Sequence, residues 1–147
     1  MNPRVPAEEF PFRHSYPVQI RFNDIDVVGH LNNSIYFSFL DLGKMQYFNE
    51  IMKDRITWKQ VPVVIVNINI DFYSQTFIDE RLEVLTQTVR LSERSLTLEQ
   101  RVVNPVTRDV KCVARTVMAG FDVSTGKSAP IPEEWKQAVR NFEGRNI

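Results

Sequence analysis

Arg21-Phe22-Asn23-Asp24-Ile25-Asp26-Val27-Val28-Gly29-His30-Leu31-Asn32-Asn33-Ser34-Ile35-Tyr36 is the stretch on which the reading of this 147-residue chain turns. Before it, Val18, Ile20 and Phe22 alternate with Gln19 and Arg21, which predicts a half-buried strand over residues 16–22. Two acids, a glycine, a histidine and two asparagines then fall within ten positions. An aromatic-rich pattern of helical period follows, predicting a helix over residues 33–54. Tyr36, Leu40 and Tyr47 recur at helical offsets, and so do Ile35, Phe39 and Leu42. Apolar residues lie on most sides, so the helix should be buried on more than one face.

Upstream, residues 1–16 hold Pro3, Pro6 and Pro11 without any period, as in a leader that is loose or strapped down. Downstream of Pro62, strands rich in β-branched residues are expected over 63–75, 81–91, 95–103 and 109–123. The turns Ser92-Glu93-Arg94 and Asn104-Pro105-Val106-Thr107 favour antiparallel hairpins. Val84-Leu85 breaks the alternation of its strand and suggests a bulge there. Gly126, Pro130 and Pro132 mark a loop, after which Pro132-Glu133-Glu134-Trp135 opens a short terminal helix. A long apolar helix before a long antiparallel sheet makes a two-layer α+β fold, one domain over residues 1–147.

Composition narrows the function. Eighteen Lys and Arg balance eighteen Asp and Glu, so no net field favours nucleic acid or an anionic membrane. A hydrophobic fraction of 43% beside 24% charged residues is that of a globular chain. The lone Cys112 lies in an apolar run, reads as a buried structural thiol and points to a reducing compartment. There is no apolar run near the ~20 residues of a membrane span, and Glu8 and Glu9 interrupt any signal-like layout. A cytoplasmic protein is expected, with some apolar surface covered by self-association.

The loop carries the chemistry. Asp26 lies between a strand and a helix start, close enough to reach first-turn N–H groups that lack intrahelical partners and bear the positive end of the helix dipole. A carboxylate held there stays ionised and can act as nucleophile or general base. The same amides, near Asn33, can accept the oxyanion of an acyl carbonyl under attack. The plainer role for Asp26 is a cap on the helix or on its preceding turn. His30 can orient water, bond Asp26 or tie the loop to carbonyls, and Gly29 supplies a turn. Asp24 should hold the loop through backbone N–H groups. An EF-hand is excluded because Val28 and Ile35 stand where ligands belong. No second histidine lies near Asp24, Asp26 and His30 to complete a metal site, and there is neither a Gly-rich phosphate loop nor a nucleophile elbow.

The pattern Asp24-x-Asp26-x-x-Gly29-His30-Leu31-Asn32-Asn33-x-x-Tyr36, followed by Asp41, resembles the signature of hot-dog-fold acyl-CoA thioesterases of the 4-hydroxybenzoyl-CoA thioesterase-like family. Asp71-Phe72 with Asp79, and residues 121–132, resemble later parts of that family. The resemblance implies a helix wrapped by an antiparallel sheet, and a homodimer or homotetramer with sites between subunits. It implies hydrolysis of an acyl-CoA thioester to a free acid and CoA with no cofactor and no metal. Asp26 is then the catalytic carboxylate, and the Asn33 N–H polarises the carbonyl. Asp41 contacts the acyl group in some members. A histidine like His30 is catalytic in plant acyl-carrier-protein thioesterases of similar motif, which have an asparagine where this chain has Val28. Gly29, Tyr36 and Asp41 are candidate substrate contacts; Arg90 and Arg94, with Lys127, are candidates for the nucleotide phosphates. The alternative is a module that binds acyl-CoA or fatty acids without turnover.

Overall fold

The computed structural model describes residues 2–53 and 61–147. The elements are β1 (His14–Val18), α1 (Asn33–Ile51), β2 (Val63–Phe72), β3 (Leu82–Leu91), β4 (Ser95–Val103), β5 (Val110–Asp122), β6 (Lys127–Ser128) and α2 (Glu133–Glu143). A 3₁₀ turn spans Phe22–Asp24. The strands form an antiparallel sheet in the order β1-β3-β4-β5-β2, with β6 beside β5. No helix among the described residues is long and apolar enough to cross a membrane.

Alternation along the strands sends one set of side chains toward α1. Near the helix start, Leu31, Tyr36, Phe39 and Leu40 pack with Leu82, Val84, Val102, Cys112 and Ala114. Farther along, Tyr47, Phe48 and Ile51 meet Leu96, Leu98 and Met118, and Trp135 and Val139 of α2 close that end. Helix and sheet approach closely at Gly43, where any Cβ would collide with the Val84 side chain. Gln100, buried between them, donates to the Leu40 carbonyl (2.9 Å) and to Thr86 Oγ1 (3.0 Å). Cys112 is fully buried, and burial pushes its thiol up to about 12.

The opposite face of the sheet is charged, and the chain's own leader covers it. Arg101 donates to the Pro6 carbonyl at 2.9 Å and Gln87 to the Phe10 carbonyl at 3.0 Å. Glu9 pairs with Arg90 at 2.8 Å and Arg115 at 3.2 Å. The leader is therefore strapped down.

Four local expectations are corrected. The first strand is His14–Val18, not residues 16–22, because the Asp24 carboxylate captures the Arg21 N–H (2.8 Å) and turns Ile20 and Phe22 out of the sheet. The bulge lies between Thr88 and Arg90, while Val84 and Leu85 pair in register. There Glu143 of α2 takes the Thr88 N–H at 2.9 Å. β2 stops at Phe72 rather than residue 75, since the N–H groups of Tyr73 and Ser74 both turn onto the Lys111 carbonyl. The loop before α2 contains the short strand β6. α1 is described to Ile51; the expected end at Asp54 lies outside the described residues.

His14 shows how tightly the far end is packed. Its ring is buried edge-on against Tyr47, with Nε2 3.2 Å from Glu50 and Nδ1 without a partner among the described residues. Burial lowers its pKa below the ordinary 6.5, against the pull of Glu50 and Glu143. Below that pH the unfolded chain binds a proton that the folded protein resists, so stability falls with falling pH. Thermal unfolding from about pH 7.5 to about pH 5.5 should show Tm decreasing, and His14→Phe should flatten the decrease.

Candidate active site

The segment after β1 folds back on itself through its own polar groups. Asp26 N–H donates to the His30 carbonyl (2.8 Å), and Gly29 N–H returns to the Asp26 carbonyl (3.0 Å). Gly29 has φ +85° with open space around a would-be Cβ, so backbone conformation alone calls for glycine. Asp24 is buried, with its carboxylate on Arg21 and its carbonyl accepting the Asn32 N–H at 2.9 Å. It holds the loop through backbone N–H groups.

Asp26 meets the loop's amides rather than those of the helix. Its Oδ1 accepts the N–H groups of Val28 (3.0 Å) and His30 (3.2 Å), leaving Oδ2 without a partner among the described residues. The helix is capped by Asn32, whose Oδ1 takes the Ser34 N–H at 3.2 Å. The Asn32 carbonyl takes the Ile35 N–H. This leaves the Asn33 N–H, at the positive end of α1, unpaired among the described residues. The cap thus belongs to Asn32 and not to Asp26.

Asp26, His30, Leu31, Asn32, Asn33 and Tyr36 line one wall of an open pocket of about 710 Å³, and Phe72, Tyr73, Ser74 and Gln75 line the other. Tyr36 is buried, its hydroxyl 2.7 Å from Thr76 Oγ1 and its ring against Phe72. Burial pushes its phenol up to about 12, so it remains a neutral hydrogen-bonding group. The His30 ring packs edge-on against Phe77 at 5.2 Å; it is the backbone of His30, not its ring, that reaches Asp26. Among the described residues no group of three or more His, Cys, Asp or Glu side chains could hold a metal ion.

Asp41, Arg90 and Arg94 lie outside this pocket. Asp41 is exposed farther along α1 and accepts from the buried Lys44 at 3.2 Å. Arg90 bonds Glu9, and Arg94 sits in the β3–β4 turn, 3.4 Å from Ser128 Oγ. The Arg94 carbonyl accepts the Gly120 N–H, and Gly120 pairs with Val63 at the start of β2, whereas Phe72 at its end borders the pocket. With about 3.4 Å per residue, that separation is on the order of 30 Å. One chain does not bring these arginines to Asp26. The β2–β3 loop wall was absent from the sequence reading as a site; its signal is Ser74-Gln75-Thr76, a polar break ending the apolar run of β2.

Asp26 and Asn33 thus line one pocket at the start of a helix packed on an antiparallel sheet, the architecture of the hot-dog fold. Residues 20–139 match the thioesterase-like superfamily, and the chain belongs to it. It is 24% identical over 128 residues to the long-chain acyl-CoA thioesterase FadM of Escherichia coli K12, covering 85% of this chain and 96% of that one. Against the acyl-CoA thioesterase YbgC of Haemophilus influenzae it is 22% identical over 134 residues, covering 88% and 96%. A thioesterase structure from Thermus thermophilus, complexed with coenzyme A and Zn, superposes with a TM-score of 0.83 at 26% identity, covering 92% of this chain and 98% of that one.

Gly29→Ala tests the loop geometry. With no steric clash at the Cβ position, the change should destabilise by about 1–2 kcal/mol through backbone strain alone, read as a shift in urea midpoint at constant m.

Proposed function

We propose that the protein hydrolyses an acyl-CoA thioester, with the Asp26 carboxylate acting at the thioester carbon and the Asn33 N–H binding the carbonyl oxygen. The observation that carries the reading is the pairing of two unspent groups in one pocket, Asp26 Oδ2 and the Asn33 N–H. The acyl-CoA thioesterase names of FadM and YbgC support the substrate class. As negative charge develops on the carbonyl oxygen, the helix-start amide and dipole stabilise it; one such donor is worth about 3–4 kcal/mol in related chemistry. Asp26 either accepts a proton from an attacking water or attacks the carbon itself. In the second case a mixed anhydride forms, water cleaves it, and the C–S bond has already released CoA as thiol.

The amides of Val28 and His30 hold the Asp26 carboxylate in place, and in this reading the His30 ring takes no part in proton transfer. With a panel of acyl-CoA esters and a thiol-reactive dye, Asp26→Asn should lose at least about a hundredfold in kcat. His30→Ala should lose about tenfold or less. Tight binding of acyl-CoA with no thiol release by the native protein would favour the binding-module alternative.

We also propose a homodimer joined along the β2 edges. The outer edge of β2 has no strand neighbour among the described residues, and the strand carries exposed Val64, Ile65, Val66 and Phe72. Antiparallel pairing of two β2 strands about their middle would set the start of one against the end of the other. That arrangement carries Arg94 of the partner subunit toward the Asp26 pocket, where CoA phosphates need a cation. Light scattering should give twice the chain mass. Val66→Lys should halve it and lower kcat/KM together, since the phosphate contacts would be lost with the partner.

A further inference from the structure

Lys111 stands at the start of β5, 2% exposed, and lines no part of the pocket. Its ammonium has three N–H donors and meets three acceptors: Glu80 Oε1 at 2.7 Å, the Gln75 carbonyl at 2.9 Å and Asp109 Oδ2 at 3.0 Å. Its backbone carbonyl accepts from Tyr73 (2.8 Å) and Ser74 (3.3 Å). The two carboxylates extend the hold. Asp109 Oδ2 accepts from Ser74 Oγ at 2.6 Å, while Glu80 accepts from the Phe77 N–H at 2.7 Å and from Asn104 at 3.1 Å. Burial would raise both carboxyls, yet these bonds keep them below their ordinary values.

Every one of these contacts falls on one side of the β2–β3 loop. Thr76 faces the other way, fully buried. Its carbonyl accepts the Leu31 N–H at 2.8 Å, and its hydroxyl meets Tyr36 at 2.7 Å. Phe77, next along, is the surface on which the His30 ring packs. A chain of short contacts therefore runs from a buried cation on β5, through a loop, to the residues flanking Asn33.

We propose that Lys111 is a positioning residue, which sets the distance between the Asp26 wall and the Ser74–Gln75 wall of the pocket by clamping the β2–β3 loop. The effect on turnover rests on the thioesterase reading; the clamp itself does not. A buried ion cluster suits this task better than apolar packing, because it is directional and loses several bonds at once if any member moves.

Lys111→Met leaves two carboxylates without their cation and can fail to fold, so the triple variant Lys111→Met, Glu80→Gln, Asp109→Asn is made beside it. Amide hydrogen exchange is followed at Leu31 and across residues 73–80, with amides of the β3–β4 ladder as reference. Circular dichroism confirms that each variant is folded. The expected result is exchange at Leu31 faster by about tenfold or more relative to the ladder, together with kcat lower by about ten- to a hundredfold and KM changed by less than about threefold. A folded triple variant with native exchange at Leu31 overturns the clamp. Faster exchange with native kcat overturns the positioning role. If the unmodified protein releases no thiol from any acyl-CoA, the proposed function fails, and exchange at Leu31 alone then decides whether the clamp exists.

Discussion

Tyr36, Phe39, Leu40, Gly43, Tyr47, Phe48 and Ile51 form one buried stripe along α1, not the several buried faces its sequence pattern suggests. That stripe needs a surface to keep it from water, while Phe37 and Leu42 stay exposed. The inner face of the sheet supplies that surface. Gly43 lets α1 settle onto Val84, and Gln100 fixes its height by donating to a helix carbonyl. Once the helix is held along its length, its first turn has a defined position. Asn33, whose N–H has no partner among the described residues, is thereby held in the lining of the pocket.

Three stretches of chain meet at that point: the Asp26 loop, the start of α1 and the β2–β3 loop. Backbone groups join them as much as side chains do. The Leu31 N–H reaches Thr76, the Asn32 N–H reaches Asp24, and Asp26 is held by amides two and four residues ahead. A site framed in this way tolerates variety in side chains but little in loop length, because each bond fixes a register. The basic groups that suit a nucleotide lie at the far end of the sheet. In the proposed function the pocket and these cations are separated within one chain, and the β2 edge, unpaired among the described residues, is the feature that can reunite them.

Buried charge accompanies the irregularities of the fold. Glu143 takes the Thr88 N–H beside the β3 bulge. The Lys111 ammonium ties the loop after β2 through Glu80, Asp109 and the Gln75 carbonyl. On the outer face, Glu99 pairs with Arg101 and Arg115, which the leader meets with the Pro6 carbonyl, Glu9 and the Phe12 ring. In each case a polar group taken from water has found partners far away in the sequence.

Local rules were enough for the architecture and for the loop that carries Asp26. Periodicities of two and 3.6 residues distinguish strand from helix, turn residues mark the hairpins, and Gly29 announces its positive φ. Asp24, Asp26, Asn32 and Asn33 act through amides only a few positions away, which is why their cluster could be read directly. The tertiary structure decided the rest. It gave the helix cap to Asn32 and left Asp26 capping the turn before it, placed Asp41, Arg90 and Arg94 away from the pocket, and supplied a second wall from Phe72 to Gln75. It also shifted the bulge to Val89 and gave Lys111 its role beneath the loop. These depend on contacts between residues tens of positions apart, and hydrophobic pattern carries no record of which buried polar group will meet which.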